Sequence, residues 1–352
     1  MKNWKRWLLA ILLTLVIAFV YYYINLPALN IHSAGFWCFV ILMVFVFAIV
    51  LSFRSVWKSG HVSFGKKGLD IQKGTMGPYR YLFYLGGVLL LIFLIGSVLS
   101  SPIINAKKYQ GLMQVEERDF TEDIKEVDFN TIPLLDRDSA AILGSRKMGS
   151  MVDMVSQFEV ADDYTQINVS GKPVRVTPLM YASPIKWLTN QKNGIPAYIQ
   201  IDMTTQDTEC VKLTEGIKYS ESEMFNRYIW RHIRFRYPTY IFADQIFFEI
   251  DDEGTPYWIC PVKKFNIGLF GGVTVGRVVL CNAITGECTD YQADEVPTWV
   301  DKVYQAELLM QLYDYHGMLQ HGYLNSVLGQ RDCLQTTNGY NYIAMNDDVW
   351  VY

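Results

Sequence analysis

The sequence predicts a membrane-anchored α+β protein, in which three transmembrane helices precede a large water-facing domain. Three segments without a charged residue, at about 7–25, 33–53 and 81–101, approach or reach the roughly 20 apolar residues that span a bilayer. The chain after residue 101 is more polar and alternates helical patterns with strand-and-turn patterns. A weak duplication of a helix followed by antiparallel hairpins runs through this polar part.

Basic residues predict the orientation of the three spans. Lys and Arg are concentrated at the N-terminus and in the loop 54–80, whereas the short loop after the first span has none. Positively charged loops stay on the cytoplasmic side, so residues 1–101 are predicted to form a multi-pass anchor with a cytoplasmic N-terminus and a basic cytoplasmic loop. Residues 102–352 are then extracytoplasmic, at a bacterial plasma membrane. Lys107 and Lys108 are the only nearby charges that oppose this orientation.

Charge excludes two classes of function. Residues 102–352 contain 22 Lys and Arg but 34 Asp and Glu, a net charge of −12 that the whole-chain value of −4 conceals. A domain this acidic repels both nucleic acid and anionic lipid, so neither is expected to bind it. The lipid bilayer is the predicted partner of the three apolar spans. The spans contain no Asp, Glu, Lys, Arg or His. Since such residues mark ion and proton pathways within membranes, transport is not expected.

The polar part divides into four predicted segments. A juxtamembrane connector occupies 102–134, a first α+β unit 135–218, a second 219–295, and a helix with the start of a third unit 296–352. Three anchors relate the first two units. Residues 158–163 match 248–252, residues 176–179 match 259–262, and residues 201–207 match 281–287. The third unit is expected to open with a hairpin at 339–348. Either its last strand pairs back onto the preceding unit, or the chain is a truncated form of a longer protein, which is the interpretation we favour.

Helical periodicity precedes each predicted hairpin set. Met148, Met151, Val152 and Val155 share one helical face, and a long helix is predicted over 298–328. Strands are indicated where β-branched and aromatic residues cluster, with Asp-Glu-Gly and Thr-Gly turns between them. The glycine-rich run 268–276 is interpreted as a flexible connection between hairpins.

The pattern strand, Thr-Gly-Glu turn, strand at 278–291, behind an amphipathic helix, resembles the PepSY family of small extracytoplasmic α+β domains. The likeness covers about 30 residues of each unit. The whole chain also resembles uncharacterised multi-span envelope proteins of Gram-positive bacteria. The resemblance implies a module that contacts a peptide or protein partner, and it supplies no catalytic residues.

Cysteine and histidine residues give no recognisable site. Cys281 and Cys288 flank a predicted hairpin turn and are either a cross-strand disulfide or two small strand residues. No pair has CxxC spacing, which disfavours a zinc or thioredoxin-type site. His316 and His321 are five residues apart, too many to share a helical face as metal ligands. His232 would need a nucleophile as its partner, and the sequence indicates none.

Known catalytic motifs are absent as well. The sequence contains no GxSxG, HExxH or P-loop pattern. The acidic run 251–254 is a hairpin turn rather than a calcium loop, because the twelve-residue ligand pattern is missing. We therefore predict no catalytic residue, no cofactor and no metal site.

The candidate partner-binding residues are basic and aromatic. Arg227, Arg231 and Arg234 are predicted to share a helical face beside Trp230, in a domain that is otherwise acidic. Arginine binds carboxylate and phosphate groups with two parallel hydrogen bonds, so this face could hold an anionic partner. The alternative is that the arginines pair with acids of the same domain.

These observations predict a non-enzymatic, membrane-anchored binding, adaptor or sensor protein that engages a protein or peptide partner at the cell envelope. The alternatives are an envelope hydrolase whose site forms only in the fold, and a structural component of a membrane complex. A deep pocket that gathers His232 or His316 with a carboxylate would favour the hydrolase. The sequence leaves the partner, homo-oligomerisation and the natural C-terminus open.

Overall fold

The structure, a computed structural model, describes residues 2–59, 61–65, 68–72, 80–119, 133, 135–337, 339, 342–345 and 348–351. The chain divides into two units by its contacts. Unit 1 comprises Met1–Ile104 and Ile267–Gly271, and unit 2 comprises Asn105–Asn266 and Gly272–Tyr352.

Unit 1 is built on three long apolar helices: α1 (Lys2–Asn25), α2 (Ala34–Ser59) and α3 (Arg80–Leu99). Their apolar windows, Trp7–Asn25, Ala34–Ser52 and Arg80–Leu99, have mean hydropathies of 2.3, 2.8 and 2.6 and are long enough to cross a bilayer. The three predicted apolar helices are thus confirmed. The first residues of the basic loop extend α2 to Ser59, and the next form a hairpin of β1 (His61–Gly65) and β2 (Gly68–Gln72). Residues 73–79 lie outside the described residues.

Helices α2 and α3 approach closely at a glycine. A side-chain carbon placed on Gly86 of α3 would lie 2.7 Å from the Phe45 ring of α2, whereas one on Gly87 would meet nothing within 4 Å. Small residues allow helix backbones to approach in a membrane, where no hydrophobic force drives them together. Phe83 also contacts Phe45, with ring centroids 6.0 Å apart.

Residues 267–271 form a turn that belongs to unit 1. The Ser100 hydroxyl accepts hydrogen bonds from the backbone N–H groups of Leu269 and Phe270, at 2.9 and 3.1 Å. His32 donates from Nδ1 to the Leu269 carbonyl at 2.8 Å. The Phe270 ring lies edge-on to Phe93, with centroids 5.2 Å apart. The run 268–276 is therefore an ordered turn leading into a strand, which corrects its interpretation as a flexible connection.

Unit 2 contains two antiparallel sheets. The first consists of β3 (Phe158–Val160), β5 (Lys172–Tyr181), β6 (Ile195–Asp202) and β7 (Thr208–Ile217) in that order, with β4 (Thr165–Val169) also paired to β5. The second has the order β8 (Phe247–Ile250), β9 (Pro256–Ile267), β10 (Gly271–Asn282), β11 (Cys288–Gln292). Apart from β4, both sheets are four-stranded meanders.

The helices of unit 2 are short. They are α4 (Pro102–Gln110), α5 (Arg137–Gly149), α6 (Pro184–Asn190), α7 (Ile229–Arg236) and α8 (Ala306–Met318). A 3₁₀ turn (Phe225–Arg227) precedes α7, and a π turn (Asn325–Gly329) follows α8. The expected C-terminal hairpin consists of β12 (Tyr342–Met345) and β13 (Asp348–Val351).

Two helix predictions were wrong in their bounds. Helix α5 begins after Asp136, whose carboxylate accepts the Ser139 N–H, and ends at Gly149. Val152 therefore lies outside a helix and is 87% exposed. The helix predicted over 298–328 is confined to Ala306–Met318, because the N–H groups of Asp301 and Lys302 donate to a buried carboxylate instead of a helix.

One continuous hydrophobic core joins both sheets of unit 2. Its largest buried side chains come from the first sheet (Tyr198, Ile199), from α7 (Ile229) and from the second sheet (Phe248). Alternate residues of β9 and β10 face this core, and the residues between them face a second, smaller cluster with Val300 and Val303. The second sheet is consequently buried on both faces.

Candidate functional site

A thiol–imidazole cluster lies where α7 packs against the second sheet. Ligand atoms of His232, Cys281 and Cys288 all lie within 4.8 Å of one another. Ile229 and Ile233 of α7 are completely buried in the core, and this packing holds His232 on the side of the helix next to β10 and β11. Cys281 is buried, Cys288 and His232 are partly exposed, and both sulfur atoms are free thiols.

Strand register brings the two thiols together. Cys281 of β10 is directly opposite Cys288 of β11. The next pair toward the turn, Asn282 and Glu287, is a hydrogen-bonded pair, because Asn282 donates its N–H to the Glu287 carbonyl at 2.8 Å. Pairs alternate along the ladder, so Cys281 and Cys288 form a non-hydrogen-bonded pair. The side chains of such pairs are the closer of the two kinds in an antiparallel ladder. The predicted hairpin, with the cysteines on either side of its turn, is confirmed.

His232 is held by the turn that follows Cys281. Its Nε2 lies 2.7 Å from the Gly286 carbonyl, and because a carbonyl only accepts, Nε2 carries the proton and Nδ1 is the basic nitrogen. The Tyr219 ring covers the imidazole at a centroid distance of 4.4 Å. Gly286 has a φ of +75°, and a side chain there would collide with Tyr219. Glycine at this position therefore keeps both the turn and the ring in place.

The electrostatic environment shifts the pKa values of the two thiols in opposite directions. Hydrogen bonding from Cys281 lowers the pKa of Cys288 to about 6, with His232 and Arg236 acting in the same direction against burial. The same interaction and burial raise the pKa of Cys281 far above that of an ordinary thiol. For His232, burial disfavours the imidazolium, but Cys288 and the Gly286 carbonyl outweigh it and the pKa is raised.

This arrangement has two chemical capabilities. A thiolate beside an imidazole is a nucleophile, and a second thiol next to it can close a disulfide. Two sulfur atoms and one imidazole are also donors that a soft metal ion such as Zn²⁺ accepts, although structural zinc sites use four ligands. Only three ligand groups come together among the residues that the structure describes.

The first sheet has a hairpin of the same geometry without the thiols. Its turn repeats three backbone features of the Cys281–Cys288 turn: Asp202 N–H donates to Asp207, the Asp202 carboxylate accepts the Thr204 N–H, and Gln206 has a φ of +64°. Ile201 and Thr208 are the directly opposed pair there. The sheet geometry therefore does not itself require cysteine.

A polar cavity of about 500 Å³ opens elsewhere in unit 2. Residues from α5, from β4 and β5, and from the segment before α8 line it, including Gln166, Arg175 and Lys302. Gln166 is only 2% exposed, and neither its amide nitrogen nor its amide oxygen has a hydrogen-bond partner in the described part of the chain. Buried amides without partners are rare because their desolvation is not compensated.

An ionisable pair lies behind this cavity. Glu249 is fully buried and accepts the N–H groups of Asp301 and Lys302 at 3.0 and 2.9 Å. Burial, helped by the charge of Asp301, raises the pKa of Glu249 to about 8. Burial also lowers the pKa of Lys302 to about 8, against the attraction of Glu249 and Asp301.

The predicted partner-binding residues are separated by the fold. Arg227 precedes α7 and donates to the Gln191 carbonyl, while Arg231 donates to the Phe225 carbonyl and lies over the Tyr228 ring. Arg234 is only 8% exposed and donates to the Tyr240 carbonyl. Its guanidinium therefore belongs to the interior rather than to a shared surface. Trp230 donates to Glu221 at 2.7 Å.

The other candidates have local roles. His316 Nδ1 lies 3.3 Å from the Gln110 carbonyl, and His321 lies 3.2 Å from Asp332. The acidic turn is closed by the Asp251 carboxylate, which accepts the Thr255 N–H at 2.7 Å, as a hairpin turn requires. Neither His316 nor His232 meets a carboxylate in the polar cavity.

Sequence reasoning missed the partner of His232. Cys288 is 56 residues away along the chain, and the helix that carries His232 contacts the sheet only after both have folded. One signal was available, since Cys281 and Cys288 flank a turn whose register places them opposite each other. Comparison of the chain with family models, curated proteins and solved structures finds no match.

Proposed function

We propose that this chain is a membrane-anchored binding or sensor protein whose α+β unit accepts a carboxylate-bearing ligand, such as a peptide from the cell envelope, in the polar cavity. The observation that carries the proposal is Gln166, a buried amide without a partner among the residues lining that cavity. Arg175 and Lys302 supply positive charge beside it. Guanidinium, ammonium and amide N–H groups are all donors to a carboxylate.

Three further features support this reading. The three apolar helices would hold the domain at a membrane, and the positive charge of the loop 54–80 favours an extracytoplasmic α+β unit. The equal strand order of the two sheets and their matching turns support a duplication of PepSY-like units. A peptide partner agrees with that resemblance. Arg227, Arg231 and Trp230 then stay candidates for contact with a larger partner.

Gln166 allows a sharp test because its amide should lower the stability of the fold but is needed for ligand binding. Replacing a buried, unpaired amide by an apolar side chain of similar volume removes its desolvation cost. The Gln166→Met variant should therefore unfold at the same or a higher denaturant concentration than the wild type, while ligand binding is lost. A residue that contributed only to the stability of the fold would not behave in this way.

The experiment uses the detergent-solubilised full chain and a pool of random tetrapeptides, presented either as free acids or as C-terminal amides. Native mass spectrometry should detect bound free acids, at least tenfold weaker binding of the amides, and loss of binding in Gln166→Met. Gln292→Met, an exposed substitution of the same kind on β11, serves as the control. Equal binding of acids and amides, or undiminished binding by Gln166→Met, would contradict the proposal.

The alternative of an envelope hydrolase gains no support from the polar cavity, which gathers no histidine. The site that combines a nucleophile with an imidazole is the thiol cluster, where a second thiol next to the first favours disulfide exchange over hydrolysis. A structural role in a membrane complex remains the alternative if no peptide binds.

A further inference from the structure

We propose that Cys281 and Cys288, with His232, form a thiol–disulfide exchange site, in which Cys288 attacks a disulfide of a small molecule or protein and Cys281 resolves the mixed disulfide. Three observations support this assignment. The two cysteines are directly opposed in register, and ligand atoms of both and of His232 lie within 4.8 Å of one another. The hydrogen bond of His232 to the Gly286 carbonyl fixes its tautomer.

Exposure assigns the order of the two thiols. Cys288 is partly exposed at the start of the edge strand β11, whereas Cys281 is completely buried on the inner strand β10. A substrate disulfide can therefore reach Cys288 first, and Cys281 only through Cys288. The lowered pKa of Cys288 supports the same order, because the thiolate is the attacking species.

Electrons and protons balance in two steps. In the first, His232 takes the Cys288 proton, the Cys288 sulfur bonds to one substrate sulfur, and the other leaves as a thiolate that takes this proton. In the second, His232 accepts the Cys281 proton, the Cys281 sulfur attacks Cys288, and the remaining substrate sulfur leaves as a thiol. The site loses two electrons and the substrate disulfide gains them.

The geometry of the closed form is compatible with the strands. Directly opposed residues of an antiparallel pair have α-carbons about 4.5 to 5.5 Å apart, within the range of about 4.4 to 6.8 Å that a disulfide spans. Closing the bond therefore needs side-chain rotation rather than a change of register.

The first experiment measures disulfide formation in the detergent-solubilised full chain. The reduced protein, treated with a chelator, is equilibrated in glutathione buffers from fully reduced to fully oxidised, alkylated under acid quench and digested for mass spectrometry. The expected product is a reversible disulfide between Cys281 and Cys288, while Cys210 and Cys333 stay alkylatable or carry glutathione. Absence of the Cys281–Cys288 disulfide at the oxidising end overturns the proposal, as does retention of a metal ion that prevents it.

The second experiment tests the order of attack. Oxidised glutathione should form a trapped mixed disulfide on Cys288 in Cys281→Ser, at least tenfold faster than on Cys281 in Cys288→Ser. The serine hydroxyl of the first variant still donates a hydrogen bond to Cys288. Equal rates in the two variants, or a rate on Cys288 no faster than on the partly exposed Cys210, would show that the cluster does not activate the thiol.

His232 is tested by a pH split that a purely structural role would not produce. His232→Asn should slow the reaction of Cys288 five- to tenfold at pH 6.5 and leave it nearly unchanged at pH 9, where the thiol ionises without help. An equal loss at both pH values would indicate a disturbed fold and overturn the assigned role. His321→Asn, the same substitution at an exposed histidine that lies beside Asp332 and outside the cluster, is the matched control.

Discussion

Glu249 and Glu159 occupy corresponding positions in β8 and β3, yet Glu249 is completely buried and Glu159 is exposed. The difference comes from the segment before α8, in which the backbone N–H groups of Asp301 and Lys302 donate hydrogen bonds to the Glu249 side chain. In the part of the chain that the structure describes, Glu159 stays exposed, so the same sequence pattern produces two different electrostatic environments.

The buried pair predicts an unusual pH dependence of stability. Folded Glu249 keeps its proton to about pH 8, whereas an ordinary glutamate in the unfolded chain loses it near 4.5. The folded state then binds more protons between these values, so the free energy of unfolding falls as pH rises through this window. Folded Lys302 loses its proton near pH 8 rather than 10.5, so stability rises again above pH 8.

We therefore expect a stability minimum near pH 8, with a decline on the order of a few kcal/mol between pH 5 and pH 8. Glu249→Gln should flatten this decline, and Glu159→Gln should leave it as in the wild type. Urea unfolding of the detergent-solubilised chain at several pH values measures the effect. An unchanged decline in Glu249→Gln would assign the pH dependence to other groups.

At this scale the sequence could predict residue types but not their neighbours. The acidic turn at Asp251 was predicted because its hydrogen bonds are local, within four residues. The contact of His232 with Cys288 and the burial of Arg234 depend on which helix side meets the sheet. That choice is made by long-range packing, which a single sequence does not display.

Among the elements, the apolar helices were the most predictable, because length and hydrophobicity decide them without tertiary contacts. Helix bounds in unit 2 were less predictable, since Val300 and Val303 show helical spacing although they lie in an irregular segment. Val300 and Val303 are buried because they pack against the face of the second sheet that points away from the main core. A buried irregular segment and a helix face produce the same apolar spacing.

The packing of α2 against α3 predicts different effects for two adjacent glycines. Gly86→Leu would drive a side chain into the Phe45 ring and should lower stability by about 1–3 kcal/mol through overpacking. The side chain of Gly87→Leu would meet nothing within 4 Å. This variant should be as stable as the wild type or more stable, because leucine favours a helix more than glycine does.

Unfolding of the solubilised chain by increasing amounts of SDS measures both variants under the same conditions. Since the substitution is the same and the positions are adjacent, the helix propensity and hydrophobicity of the two variants match. Equal loss in both variants would mean that α2 and α3 do not pack through Gly86.

For the whole molecule, composition and charge were sufficient to predict an apolar three-helix part followed by an α+β part, and the structure agrees. The division of the α+β part was harder to predict. A weak duplication suggests two units, but both sheets contribute to one hydrophobic core. Side chains such as Tyr198 and Phe248, which meet across the sheets at a ring distance of 6.0 Å, could not be paired from periodicity alone.

Orientation gives the prediction that concerns the entire chain. With tags at both ends, protease added to intact cells should remove the C-terminal tag and spare the N-terminal one, because the basic loop 54–80 retains its side of the membrane. Lysed cells show whether each tag is cleavable at all. Survival of the C-terminal tag until lysis would place the α+β unit in the cytoplasm and remove the envelope as the source of its ligand.

The pair Ile201–Thr208 bears on how readily the thiol chemistry can be gained or lost. Its hairpin has the same turn and register as the hairpin of Cys281 and Cys288, and it is stable with an aliphatic side chain opposite a hydroxyl. Two substitutions thus separate an inert hairpin from a reactive one, with no change in the backbone. Related chains could share every strand and still differ in this chemistry. Overall similarity to this protein would therefore not predict thiol reactivity, whereas the residue types at the positions of Cys281, Cys288 and His232 would.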